Sequence, residues 1–257
     1  MTRSEWNPDA YARFADLRLQ PALDLLMHVR PLPAGDIVDL GCGNGAVGPV
    51  LRTRFAERTL IGIDTSAAML AKARDSGAYD RLEPRDMAEW APDTPPALIF
   101  SNAALHWLGD HHRLLPRLAG LLAPGGTLAV QMPHQNRAPS HRLWIDLVQQ
   151  HFPNRHDPDN SPGILSAPDY YHLLSPLGQL SLWETEYYQT LPPAPDMHPV
   201  RAFTSATFAR PVLDALNASE RAELCALYDA AMDSAYPRAS DGSVLFPFRR
   251  LFFTLDI

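Results

Sequence analysis

The residues best placed to do chemistry begin with Asp39-Leu40-Gly41-Cys42-Gly43-Asn44-Gly45, which follows the apolar pair Ile37-Val38. Glycines at this spacing let the backbone come close to a ligand and leave amides free to meet it. A carboxylate two residues before the first glycine suits a cationic ammonium better than a pyrophosphate. The overlapping segment Gly43 to Gly48 also matches GxGxxG, the pattern of dinucleotide sites. In those sites the first glycine follows the strand directly, and here that place belongs to Gly41, so the match alone is weak. Asp64 closes the apolar run TLIGID, where an acid can hold ribose hydroxyls; both nucleoside readings share this feature. Asp86, in RDMAEW, offers an acceptor to an adenine amino group. His106 follows SNAAL and is a candidate general base toward a neutral acceptor. His111 and His112 are adjacent, so they cannot share a metal on one helix face, and no metal site is expected.

These residues need a scaffold that brings strand ends together. Pro8 to Val29 reads as an amphipathic helix carrying Tyr11, Phe14, Leu17, Leu23, Leu25 and Leu26. IVDLGCG is a short buried strand, and Gly45 to Phe55 fits a helix packed by Val47, Val50 and Leu51. TLIGID is a second strand, followed by a helix that Thr65 or Ser66 caps. ALIFSN is a further strand, HHRLLPRLAGLL a helix kinked or begun at Pro116, and APGG stops it before the strand TLAVQMP. Strands thus alternate with helices to about residue 133, the pattern of a parallel sheet covered on both faces. Later come helices around His141 to His151 and Asp169 to Leu174, the strand-like LSLWETEYYQTL, a mostly helical Val200 to Tyr236 and a closing strand in SVLFPFRRLFFTLDI. The expected fold class is α/β, a doubly wound, mostly parallel sheet with a helical cap. One domain spans 1–257, with 1–133 as the part that holds the nucleoside ligand and 195–242 as a helical cap inserted between late strands.

The 257 residues are 46% hydrophobic and 20% charged, ordinary for a globular chain. The formal net charge is −7 with no long basic run, which argues against a nucleic-acid partner. Only Cys42 and Cys225 are present, fitting a reducing compartment without a disulfide. The start MTRSEWNPDAYARF lacks the apolar core of a signal peptide, and no apolar run reaches the ~18 to 20 residues that span a bilayer. A cytoplasmic protein with no membrane partner is expected. The oligomeric state is not readable.

DLGCGNG and LLAPGGTLAV resemble the first and late motifs of class I S-adenosylmethionine-dependent methyltransferases. The resemblance extends over almost the whole chain to the trans-aconitate 2-methyltransferases. EWNPDAYARF, DTSAAMLAKAR, ALIFSNAALHWLGDH, LAVQMP, YYHLLSPLG, TEYYQTLP, ARPVL and RRLFF are all similar to that family. The chain departs from the family pattern at Asn44, where a proline is usual, at Gln20, where an arginine is usual, and in FTSATFARP, where a Trp-containing stretch ends in GLRP. These departures bear on the acceptor rather than the cofactor.

The resemblance implies a Rossmann-like methyltransferase that binds S-adenosylmethionine. Gly41, Gly43 and Gly45 would shape its loop, with Asp39 near the ammonium, Asp64 on the ribose and Asp86 on adenine. Thr65, Met87, Asn102 and Trp107 complete the implied cofactor set, and Trp6 and Tyr11 are further candidates to cover the adenine or the methionine tail. The implied reaction is methyl esterification of a small polycarboxylate, trans-aconitate first. A carboxylate is already ionised near neutral pH, so no catalytic base is needed and a carboxylate clamp is expected instead. The candidates are Arg201, Arg210, Arg249 and Arg250 with Tyr170, Tyr171, Tyr187 and Tyr188. Arg210 and Arg250 fall on the family's RP and RLF positions, and Tyr171 and Tyr188 are taken with them. Two alternatives stand beside this reading: a methyltransferase of neutral hydroxyls or amines with His106 as base, and a noncatalytic module that only binds the cofactor.

Overall fold

Four short apolar strands form the frame: β1 (Ile37–Leu40), β2 (Leu60–Asp64), β4 (Leu98–Asn102) and β5 (Thr127–Pro133). Their residues are buried nearly without interruption, as strands covered on both faces must be. The computed structural model describes residues 19–155, 163–205 and 208–257. Trp6 and Tyr11, and all of the expected first helix before Leu19, lie outside the described residues; its described part is α1 (Gln20–Met27).

All four pairings in this part of the sheet are parallel. Ile37 is level with Leu60 on one side and Leu98 on the other, and Leu98 with Thr127. β3 (Arg81–Pro84) pairs with β2, with Ile61 level with Arg81. No sequence pattern signals β3. RLEP is polar and ends in proline, which only an edge strand tolerates. The full order is β3-β2-β1-β4-β5-β7-β6, with β6 (Gln179–Leu191) and β7 (Val244–Asp256). β7 ends where β5 begins, with Gly125 N donating to Ile257 O (2.8 Å) and Ile257 N to Gly126 O (3.0 Å), so the two run antiparallel and the sheet is mixed. The order reverses between β1 and β4, the switch point at which such sheets bind ligands.

The crossovers are α2 (Gly48–Arg54), α3 (Ala67–Asp75) and α4 (His111–Ala119). α2 starts three residues later than the sequence suggested because Gly45 has φ +78° and belongs to the loop. Ser66, not Thr65, caps α3 by accepting from Met69 N (3.3 Å). α4 begins at His111, so Pro116 lies inside it rather than starting it. Burial of Leu114, Leu115 and Leu118 outweighs the hydrogen bond that the proline forfeits.

The chain divides into two units. The first holds Met1–Met132, Pro162–Glu184 and Leu251–Ile257, and includes α6 (Ala167–Leu174). Its core runs through Leu40, Ile63, Ile99, Leu115, Val130 and Phe253. The second holds Pro133–Ser161 and Thr185–Arg250, with α5 (Pro139–His151), α7 (Pro199–Ser205), α8 (Arg210–Asp214) and α9 (Ala218–Ala235). Trp144 of α5 stacks on Tyr228 of α9 at 3.8 Å between centroids, and its Nε1 donates to Thr204 Oγ1 of α7 (3.0 Å). Asn217 and Glu220 form a reciprocal cap that starts α9. Among the described residues, no helix is long and apolar enough to cross a membrane.

Candidate functional site

The glycine loop of the first unit is built from two amides on one carbonyl. Gly41 N and Cys42 N both donate to Ile63 O of β2 (2.8 and 2.9 Å), which turns the chain sharply off β1. Gly41 has φ +83°, and a β-carbon there would lie 2.2 Å from the Ala104 methyl and 2.8 Å from Met87 Sδ. Gly43 also has positive φ, +55°, but a β-carbon would meet nothing within 4 Å. Gly41 is therefore glycine for close packing, while Gly43 leaves bare backbone open to a ligand.

Asp64 fastens this loop to the end of β2. Its Oδ2 accepts from Gly43 N (2.9 Å) and its Oδ1 from Ser66 N (2.8 Å). A carboxylate has about four lone-pair sites, so capacity remains for ribose hydroxyls. Thr65 is exposed between Asp64 and Ser66. Asp39 is 1% exposed, and its Oδ2 accepts from Tyr79 Oη at 2.6 Å. Burial pushes its carboxyl up to about 7; the Tyr79 hydrogen bond opposes the rise and the nearby Asp64 charge adds to it. Asp39 thus lies beneath the loop rather than on its open side.

Met87 packs against Gly41, and the exposed Asp86 accepts from Ala88 N (2.8 Å). Arg117 of α4 fixes this segment by donating to Trp90 O (2.7 Å) and Met87 O (3.0 Å), a role no motif signalled. At the end of β4, Asn102 Oδ1 is buried with no hydrogen-bond partner among the described residues. Ala103 next to it holds φ +53°, a sparsely populated conformation for a non-glycine residue. His106 is buried against Trp107 (4.6 Å between rings), while Trp107 is 59% exposed. His111 uses both ring nitrogens, Nδ1 with Tyr170 Oη (2.6 Å) and Nε2 with Leu105 O (3.0 Å), so it holds the core. The open Gly43 backbone, the Asn102 oxygen and Asp64 all lie at the carboxyl ends of β1, β4 and β2, with Asp39 beneath the loop and Asp86 exposed next to Met87, so the groups offered at this end are mostly acceptors and negative charge. That fits a ligand with hydroxyl donors and a cationic end, as S-adenosylmethionine has, and opposes a pyrophosphate.

The arginines of the second unit separate by environment. Arg201 donates to the Asp229 carboxylate (2.7 Å) and Asp196 O (3.1 Å). Arg249 pairs with Glu186 (3.5 Å), which also accepts from Tyr188 Oη (2.8 Å) on the outer side of β6. Arg210 is 75% exposed and 3.6 Å from Asp214 one turn on. Arg250 is different. Its guanidinium lies over the Phe248 ring (4.8 Å), its Nε is out of solvent, and burial pushes it down to about 10, with Tyr187 beside it working the other way. The strand carrying it is pinned by Gln135, which accepts from Arg249 N (3.1 Å) and donates to Pro247 O (2.8 Å). His141 packs on Phe208 (4.5 Å) and faces Phe248 (6.3 Å), and burial pushes it down to about 4, so it is neutral. The structure therefore gathers Arg250, Tyr187, Phe248 and His141. It leaves Arg210, Tyr188 and, in the first unit, Tyr171 on exposed surfaces. Neither Tyr187 in place of Tyr188 nor His141 was distinguishable by motif; strand alternation carries the only trace, since 246, 248 and 250 share a face.

The family model described as "Methyltransferase domain" matches residues 11–160. The trans-aconitate 2-methyltransferase of Paracidovorax citrulli is 39% identical, with 96% of each chain covered. That of Methylobacterium nodulans is 41% identical, with 97% of each covered. In fold, the chain is similar to a putative methyltransferase of Bacillus halodurans, at TM-score 0.57 and 13% identity over 91% of this chain and 97% of that one. The full-length likeness covers both units, and on it the chain belongs to the trans-aconitate 2-methyltransferase family of class I methyltransferases.

Proposed function

We propose that the protein transfers the methyl group of S-adenosylmethionine to one carboxylate of a small polycarboxylic acid, trans-aconitate first, giving a monomethyl ester and S-adenosylhomocysteine. The observation that carries this reading is the 37–41% identity to relatives of that name along nearly the whole chain. Residues 1–133 are the cofactor-binding part in this reading, and 195–242 a cap that serves the acceptor. When bound, S-adenosylmethionine supplies a methyl group made electrophilic by its sulfonium.

In the first unit, the Gly41–Gly45 loop receives the methionine end, and Asp64 takes the ribose hydroxyls with its remaining lone pairs. Asp86, Met87 and Thr65 line the adenine and ribose. Asn102 offers its buried oxygen to a donor, and Trp107 covers the ligand. Asp39 contributes negative charge from below the loop. In the second unit, Arg250 takes an acceptor carboxylate, helped by Tyr187; Arg210, Tyr171 and Tyr188 take outer positions. The chemistry asks little else. An O–CH3 bond forms as the S–CH3 bond breaks, the carboxylate loses its negative charge and the sulfonium its positive one. No proton moves, so no general base is required, and the protein acts by holding the reactants in line. The net charge of −7 opposes an anionic acceptor overall, so positive charge has to be concentrated locally, as at Arg250, and the two cysteines accord with a cytoplasmic setting.

A panel of small acids and alcohols, incubated with S-adenosylmethionine and screened by mass spectrometry for a gain of one methyl, tests the reading. Methylation of polycarboxylates, trans-aconitate foremost, is expected. Methylation of neutral alcohols alone would move the chemistry to a base mechanism on His106, and cofactor binding without any methylated product would leave a binding module.

A further inference from the structure

Tyr79, in the connection between α3 and β3, belongs to none of the motifs, yet three glycines close around it. A β-carbon at Gly48 would lie 2.5 Å from its ring, one at Gly62 3.0 Å and one at Gly45 3.1 Å. Gly45 has positive φ and would be glycine on that ground alone. Gly48 and Gly62 do not have positive φ, so conformational freedom does not account for them. Close approach does, from the Tyr79 ring at Gly48 and from Tyr79 together with Leu82 and Cys42 at Gly62. The ring is therefore wedged between the loop, the first residue of α2 and the middle of β2. From there the hydroxyl reaches 2.6 Å to Asp39 Oδ2, the carboxylate at the root of the loop.

We propose that Tyr79 is a positioning residue for cofactor binding, its ring setting the height of the glycine loop and its hydroxyl orienting the Asp39 carboxylate. It acts through Asp39 and the loop without touching the ligand. The inference rests on the reading that this loop holds S-adenosylmethionine. Tyr79 faces Asp39 from the α3–β3 connection, Asp64 from the end of β2 and Cys42 from the loop itself. Burial pushes both the Cys42 thiol and the Tyr79 phenol far up, so both stay neutral and Asp39 is the group that titrates near neutral pH. The Tyr79 hydroxyl favours its charged form. Removing the hydroxyl therefore makes Asp39 harder to ionise, and the cationic end of the ligand loses its counter-charge until a higher pH.

The test is calorimetric binding of S-adenosylhomocysteine between pH 6 and 9 to the full-length protein and to Tyr79→Phe, Asp39→Asn and the double variant. Tyr79→Phe keeps the ring and hence the packing. Its affinity should fall roughly tenfold near pH 7 (the loss of one charge-assisted hydrogen bond,), and the midpoint of its pH dependence should move upward. Tyr79→Leu, which also removes the wedge, should lose more and not be rescued by raising the pH. Adding Tyr79→Phe to Asp39→Asn should cost little further, because the two act as a unit. Unchanged affinity and midpoint in Tyr79→Phe would overturn the proposal, as would equal losses at every pH that add in full to those of Asp39→Asn. A parent protein that fails to bind S-adenosylhomocysteine at all would instead defeat the cofactor reading, and this proposal with it.

Discussion

At the root of the glycine loop the buried ionisable group is an acid, Asp39, which burial pushes up to about 7. On the inner side of β7 in the second unit the group is a half-buried base, Arg250, which desolvation pushes down to about 10. Each is the kind of group that folding alone disfavours, because desolvation penalises the charged form and a packed apolar residue would do as well structurally. Each is also matched in sign to what the proposed reaction brings to its unit, a cationic cofactor in the first and an anionic acceptor in the second. The means of placement differ. The first unit uses backbone, with left-handed glycines and amides tied to Ile63 O and Asp64. The second uses side chains, with an aromatic ring under the guanidinium and Gln135 bracing the strand. Backbone devices constrain residue identity tightly, and side-chain devices do so loosely.

The contrast is sharpest in Asp39→Asn. With its folded-state value raised above the ordinary 3.8, Asp39 contributes stability in full only below that pH, and the contribution is lost as pH rises through about 7. A rise of that size corresponds to roughly 4 kcal/mol as an upper bound. Asp39→Asn removes the loss, so the variant should gain stability over the parent between pH 5 and pH 8 in urea unfolding, while binding S-adenosylhomocysteine more weakly. A variant that tracks the parent at both pH values would show that Asp39 is not buried as a charge.

Arg250→Met breaks the other side. The methionine keeps much of the stem packing and removes the fork. Loss of a desolvated charge partner costs about 2 kcal/mol or more, so kcat/KM on trans-aconitate should fall about thirtyfold or more. S-adenosylhomocysteine affinity should stay within about threefold in calorimetry, a window of ~0.7 kcal/mol. Equal losses in both quantities would mean that the variant damages the fold rather than the clamp.

Asp64→Ala comes next in size. It removes the acceptor of Gly43 N and Ser66 N as well as the proposed ribose contact. At about 1.5 to 3 kcal/mol for a charge-assisted bond, cofactor affinity should drop by about tenfold or more with the fold retained by circular dichroism. Tight NADH binding without S-adenosylhomocysteine binding would refute the assignment of this unit. Arg210→Met should have the smallest effect. A side chain 75% exposed and paired one turn away contributes little, and its kcat/KM should stay within about threefold of the parent. A loss as large as that of Arg250→Met would place the clamp on α8 and end the contrast among the arginines.

How much of this was legible in the sequence follows from the same difference. Gly41, Gly43 and Gly45 could be read as a tight turn because the turn off β1 admits few other residues, and Asp64 could be read as the polar end of the apolar run that makes β2. The strands β1, β2, β4 and β5 could be read because burial on both faces leaves unbroken apolar runs. β3 could not, since an edge strand of Arg81–Pro84 is polar and carries no run. Tyr79 could not, because its partners Gly45, Gly48 and Gly62 meet it only in the fold. The four arginines looked alike as letters. Only the Asp214 partner of Arg210, one turn along the same helix, is local; Asp229 beside Arg201, Glu186 beside Arg249 and the Phe248 ring under Arg250 are brought by the fold.

A methyl group passed to a carboxylate becomes an ester, which mild base cleaves. The most direct measurement is to incubate the protein with trans-aconitate and S-adenosylmethionine labelled in its methyl group, and then to treat the labelled product with mild base. One label per acid is expected, carried as an ester, so base should return unlabelled trans-aconitate and release the label as methanol. A label that survives base, or one that appears only on a neutral alcohol or an amine, would contradict transfer to a carboxylate.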